Sequence, residues 1–106
     1  METILSINLI TSNPKVRGGR PCVAGTGLRV TDVVIASMIH LQLPDQIASD
    51  YGISLAQVYA AMAYYYEHKT DLDQDIRQQL ATARTLKEQH LANGGRSILP
   101  GRKVTR

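Results

Sequence analysis

Pro44-Asp45-Gln46-Ile47-Ala48-Ser49-Asp50-Tyr51-Gly52-Ile53-Ser54-Leu55-Ala56-Gln57-Val58-Tyr59-Ala60-Ala61-Met62-Ala63-Tyr64 is the stretch that decides the fold. Pro44 suits the first turn of a helix, where a missing N–H costs nothing. That helix is predicted to run to about Tyr51 and to end at Gly52, which can take the left-handed conformation. Ser54 and Gln57 have the spacing of a capping box and open the next helix, which is predicted to run to His68. Ala48 is small where two crossing helices approach, and Ile47, Tyr51, Ile53, Val58 and Ala61 are the apolar positions that would close the core between them. Two short helices, a tight turn and this apolar register predict a helix-turn-helix.

Upstream, Val30, Val33, Val34, Met38 and Leu41 recur at helical spacing. They predict a helix capped by Thr31, with Asp32 at its positive end, that stops near His40. Residues 1–30 are rich in turn signals: Asn13-Pro14, Gly18-Gly19 and Gly25-Thr26-Gly27. They read as short strands joined by turns, too short for a sheet of their own, which pack on the helices or pair with another copy. Residues 31–68 form the helix-turn-helix core. After a break at Lys69-Thr70-Asp71, a polar helix over 71–93 carries a narrow stripe of Leu72, Ile76, Leu80, Ala83, Leu86 and Leu91, with Asp71 or Asp73 as its cap. Asn93-Gly94-Gly95 ends it, and 94–106 reads as a flexible basic tail. The fold class expected is mainly α.

The 106 residues suffice for one domain with its own core, built without Trp or Phe. No apolar run approaches the length of a membrane span, and Met1-Glu2-Thr3 is not the start of a signal peptide. A single cysteine, Cys22, forms no internal disulfide and fits the reducing cytoplasm. The expectation is therefore a cytoplasmic protein without a membrane segment. Charge is unevenly spread. Residues 1–30 hold four bases against one acid (+3), residues 31–93 four bases against eight acids (−4), and residues 94–106 four bases and no acid (+4). Basic ends favour phosphate or an acidic partner surface.

If the second helix of the motif enters a DNA major groove, Leu55, Ala56, Gln57, Tyr59 and Ala60 face outward near its start. Gln57 is the base reader among them, by a bidentate contact to adenine, and Tyr59 can reach a phosphate. Arg17, Arg20 and Arg29 supply further phosphate donors. Yet this helix has no Lys or Arg before Lys69, poor material for groove binding. The competing expectation is a protein-binding module in which the helix docks a partner or a second copy. The run Ala60-Ala61-Met62-Ala63-Tyr64-Tyr65-Tyr66, apolar nearly all round, supports that, and makes Tyr65 and Tyr66 candidate partner contacts.

Other chemistries find little material. The glycine-rich stretch matches no nucleotide-binding fingerprint. His40, His68 and His90 are far apart and sit near predicted helix C-termini, so no metal is expected. Cys22 reads as a buried thiol. The Asp71, Asp73 and Asp75 cluster reads as helix-dipole acids rather than a magnesium site. No nucleophile–base–orienter set is visible, so no enzyme and no cofactor is expected.

The order of motifs resembles a family catalogued as domain of unknown function 433. The resemblance is carried by Ile10–Pro14, Arg17-Gly18-Gly19-Arg20-Pro21-Cys22-Val23-Ala24-Gly25-Thr26-Gly27, Leu28-Arg29-Val30, Pro44–Ile47, Asp50-Tyr51-Gly52 and Val58–Tyr65. It implies a homeodomain-like helix-turn-helix after a short β segment. It also implies an antitoxin of a bacterial toxin–antitoxin pair, a homodimer that binds operator DNA. The cognate toxin would be a PIN-like ribonuclease, held through the C-terminal region. Arg96 and Arg102 would then reach the toxin's acidic active site. The chain departs from the family pattern in having Leu41 and Leu43 where Gly and Ser are expected. It also has Tyr51-Gly52 where Tyr-Pro is common, and Gly27 where many members carry Arg.

Overall fold

A computed structural model describes residues 1–92. The chain is mainly helical, as expected, after a short antiparallel β pair. It divides into two units, Met1–Leu72 and a second that begins at Asp73.

In the first unit, β1 (Ile10–Thr11) pairs with β2 (Cys22–Val23), with Ile10 opposite Val23 and Thr11 opposite Cys22. A single 3-10 turn at Arg17–Gly19 lies between them. On the other side of β2, Cys22 bridges Arg29, Val23 N–H donates to Leu28 O (2.8 Å) and Val30 N–H to Pro21 O (2.9 Å). The chain thus leaves a tight hairpin directly into α1 (Val30–Met38). The glycine-rich turn satisfies itself. Thr26 Oγ1 donates to Val23 O (2.8 Å) and accepts from Leu28 N–H (3.0 Å), while Gly25 takes φ 77°.

Helices α2 (Pro44–Tyr51) and α3 (Leu55–Glu67) fall where the sequence puts them. Gly52 is left-handed at φ 68°, and its N–H and that of Ile53 both close on Ala48 O. Ser54 Oγ accepts from Gln57 N–H (3.1 Å), and Gln57 Oε1 accepts from Ser54 N–H (2.7 Å), so the predicted box is complete. Helices α1 and α2 both pack on α3. Val23, Val30, Val33, Ile47, Val58 and Ala61 fill the space between the elements. Of the five residues expected to close the motif, Ile47, Val58 and Ala61 are buried and Ile53 is half-buried. Tyr51 is instead exposed, at the last residue of α2.

Three expectations about helix ends are corrected. Arg29, not Thr31, caps α1. Thr31 lies inside the first turn and is buried, and Asp32 Oδ2 accepts from Arg29 N–H (3.0 Å). The break before the last helix is one residue, His68, at φ −126° and ψ 37°. Helix α4 then runs Lys69–Ala92. Asp71 therefore sits in its first turn and Asp73 within it, and neither precedes the helix as a cap. His68 O receives Leu72 N–H (3.0 Å), so the same residue that ends α3 starts α4.

Candidate nucleic-acid and partner interface

Three surfaces carry the side chains that sequence reasoning singles out. The first is the loop around the β pair. Arg17 is exposed, adopts φ 53° and donates from Nε to Gly27 O (3.0 Å). Arg20 is exposed nearby, with its guanidinium beside Gly18. Arg29 is differently placed. It grips Asp32 with two side-chain bonds, Nη2 to Oδ1 (2.9 Å) and Nε to Oδ2 (3.1 Å), half-withdrawn from solvent. Its charge is matched locally, whereas Arg17 and Arg20 are the more exposed of the three. Cys22, between these arginines, is buried as expected, and its thiol donates to Arg20 O (3.4 Å). Desolvation pushes its pKa above the ordinary 9.0. Arg17 and Arg29 oppose that, and Asp32 adds to it.

The second surface is the outward face of α2 and α3. Leu55, Ala56 and Tyr59 are exposed at the start of α3, as read from the sequence, and Ala60 is half-buried. Gln57 is half-buried, and its amide oxygen is engaged by the Ser54 peptide. A bidentate grip on adenine uses both ends of the amide, so base reading would compete with the cap. Further along α3 the two partner candidates part company. Tyr66 is 58% exposed, whereas Tyr65 is only 3% exposed. Tyr65 is thus corrected from a docking residue to a core residue, since its position places it on the face turned to the other helices. Its ring lies under Lys69 Nζ (5.7 Å) and tilts against Tyr66. Helix α2 presents Asp45 and Asp50 outward, the latter held by Gln42 Nε2 (3.0 Å). The outward face of α2 and α3 is therefore acidic and apolar, and the exposed Arg17 and Arg20 lie on the loop around the β pair.

The third surface is the outer part of α4. Of the predicted stripe, Leu72 and Ile76 are buried, but Leu80, Leu86 and Leu91 are exposed. At 100° per residue, Leu80, Ala83 and Leu91 share one face and Leu86 flanks it. Arg96 and Arg102 lie outside the described residues, as does the predicted tail. Among the described residues no three His, Cys, Asp or Glu side chains converge. No described helix is long and apolar enough to cross a membrane. His68 instead closes α3, with Nδ1 at 3.0 Å from Tyr64 O and its ring stacked on Tyr64.

Sequence reasoning missed two features. Leu41 holds φ 57°, a conformation that nothing in its side chain favours. The departure from the family's glycine is the signal that marks it. The other is the segment before β1, where Ile4, Leu5 and Ile7 are almost wholly exposed.

No curated protein and no solved structure matches the chain. A family model described as protein of unknown function (DUF433) matches residues 10–65. That span holds the β pair, the glycine-rich turn and α1 to α3 up to Tyr65, so the chain belongs to the DUF433 family.

Proposed function

We propose that this protein is an antitoxin-like regulator that captures a partner, a PIN-like ribonuclease toxin, through its C-terminal region. The observation that carries this reading is the apolar stripe of α4, which stays in water at Leu80, Leu86 and Leu91. A helix of this length with an uncovered leucine face is what helix-in-groove recognition requires. The following residues, with Arg96 and Arg102, add a net +4 that suits an acidic nuclease site. In the same reading the helix-turn-helix unit contacts operator DNA as a dimer. Arg17 and Arg20 would hold phosphates, Arg29 would be auxiliary, and Gln57 and Tyr59 would lie at the groove.

A second reading keeps the partner and removes the DNA. It is favoured by the outward Asp45 and Asp50 on α2 and by the lack of any Lys or Arg within α3. Both readings treat the protein as a cytoplasmic binding protein and not an enzyme.

The test is co-expression with the product of the neighbouring gene. Purification of a stable pair, lost on Leu80→Asn with Leu91→Asn while the helical signal is kept, supports capture through α4. A pair that survives those changes overturns it. A gel shift of the pair on the shared upstream DNA, weakening steeply with salt, selects the first reading, and its absence selects the second.

A further inference from the structure

The segment that leads into β1 reads Ile4-Leu5-Ser6-Ile7-Asn8-Leu9-Ile10. It is the same in both directions by side-chain type: Ile4 matches Ile10, Leu5 matches Leu9, Ser6 matches Asn8, and Ile7 is the centre. Ile4, Leu5 and Ile7 are 90%, 87% and 78% exposed. Glu2–Asn8 form no hydrogen bond to any described residue. Such a run, at the open edge of a sheet, is a template for another strand.

The register of β1 fixes which way that edge faces. Ala24 N–H donates to Leu9 O (2.8 Å), so the peptide groups of Leu9 and Thr11 face β2 and those of Ile10 face the open side. Continued as a strand, the alternation puts the peptide groups of Asn8, Ser6 and Ile4 on that open side too. An antiparallel partner centred on Ile7 pairs Ile4 with Ile10 and Ser6 with Asn8 of the second copy. These are the residues whose donors and acceptors are free. The centre of the sequence palindrome and the parity of the hydrogen bonds, two independent observations, agree.

Charge selects the same arrangement. Residues 3–14 carry none. Antiparallel pairing brings Glu2 of each copy to the end where the other has Lys15 and Arg17, whereas parallel pairing sets Glu2 beside Glu2. On one face of the paired strands, Leu5, Ile7 and Leu9 of both copies would lie together. In the single chain, Leu5 and Ile7 line a groove of about 460 Å³ with Ile10 and with Ala60, Ala63, Tyr64 and Glu67 of α3.

We propose that Ile4–Ile10 is a self-association strand, through which two copies pair antiparallel about a two-fold axis at Ile7. A two-fold interface requires a patch complementary to itself, and this segment is one. The inference stands apart from the toxin reading, because self-association is measured with neither toxin nor DNA present.

The experiment is light scattering and sedimentation of the full chain. The wild type is expected to be a dimer. Ile7→Lys and Ile7→Glu each set like charges face to face at the axis. Each should weaken the dimer by about 100-fold or more, with an unchanged far-UV spectrum. Mixing the two variants should restore dimers, because Lys then faces Glu. Ser6→Pro, which removes one of the open-side N–H groups, should also give monomers. A monomeric wild type, dimers that persist in each single variant, or a mixture that stays monomeric would overturn the proposal.

Discussion

Leu41 shows how much one residue can depart from its surroundings. A left-handed conformation costs an L-residue about 1–2 kcal/mol, and an exposed leucine recovers little of that by packing. Glycine removes the strain but loses about 0.5–1 kcal/mol to the entropy of the unfolded chain. Leu41→Gly is therefore expected to stabilise the fold by roughly 0.5–1 kcal/mol in urea titrations, net of that loss. An unchanged midpoint would mean that Leu41 relaxes out of this conformation in solution. Cys22 makes the complementary case. Burial raises its pKa, so the folded state prefers the neutral thiol. That preference stabilises fully below the ordinary value of 9.0 and is lost as pH climbs from there through the folded value. The gap in stability between wild type and Cys22→Ala should thus shrink above pH 9.0, and a gap independent of pH would contradict the burial.

At the scale of elements, the helix starts follow one device. The third residue of α1, α2 and α3 in turn accepts at a side-chain oxygen from the cap peptide: Asp32 from Arg29, Gln46 from Leu43 and Gln57 from Ser54. Only at Ser54 does the cap return the bond. Ser54→Ala is expected to cost about 1 kcal/mol. Leu43→Ser, which supplies the missing acceptor at α2, should gain about 0.5–1 kcal/mol, since Leu43 is exposed. Paired denaturation curves check both, and a loss on Leu43→Ser would show that the leucine has a packing role. The sequence made α2 and α3 legible because proline, glycine and the Ser54–Gln57 spacing are local signals. It misplaced the start of α1 because the hairpin bonds, Cys22 to Arg29 and Val30 to Pro21, carry the chain into the helix two residues earlier than Thr31 allows.

For the whole molecule the question is where the positive charge lies. The outward face of α2 holds Asp45 and Asp50, and Arg17 and Arg20 are exposed on the loop around the β pair. Gly27 lies in that loop, is not at a positive φ, and a Cβ there meets nothing within 4 Å. Gly27→Arg should therefore fold as well as the wild type. If the loop contacts DNA, the variant should bind tighter, with a salt slope steeper by about 1. Equal binding with an unchanged slope would take this loop off the DNA.

What the sequence determined by itself is the local grammar: two helices and a tight turn at 44–64, a β segment before them, a buried Cys22 and an amphipathic last helix. These follow from periodicity, caps and turn residues that act over a few positions. Which tyrosine of Tyr64-Tyr65-Tyr66 is core, and that Arg29 is spent on Asp32, were decided only in three dimensions. In each case the competing partners are equally near in sequence, and the choice falls to which face of a helix the rest of the chain covers. The same holds for the open edge of β1. Its palindrome is written in the sequence, but only the pairing of Leu9 with Ala24 shows which peptide groups remain free.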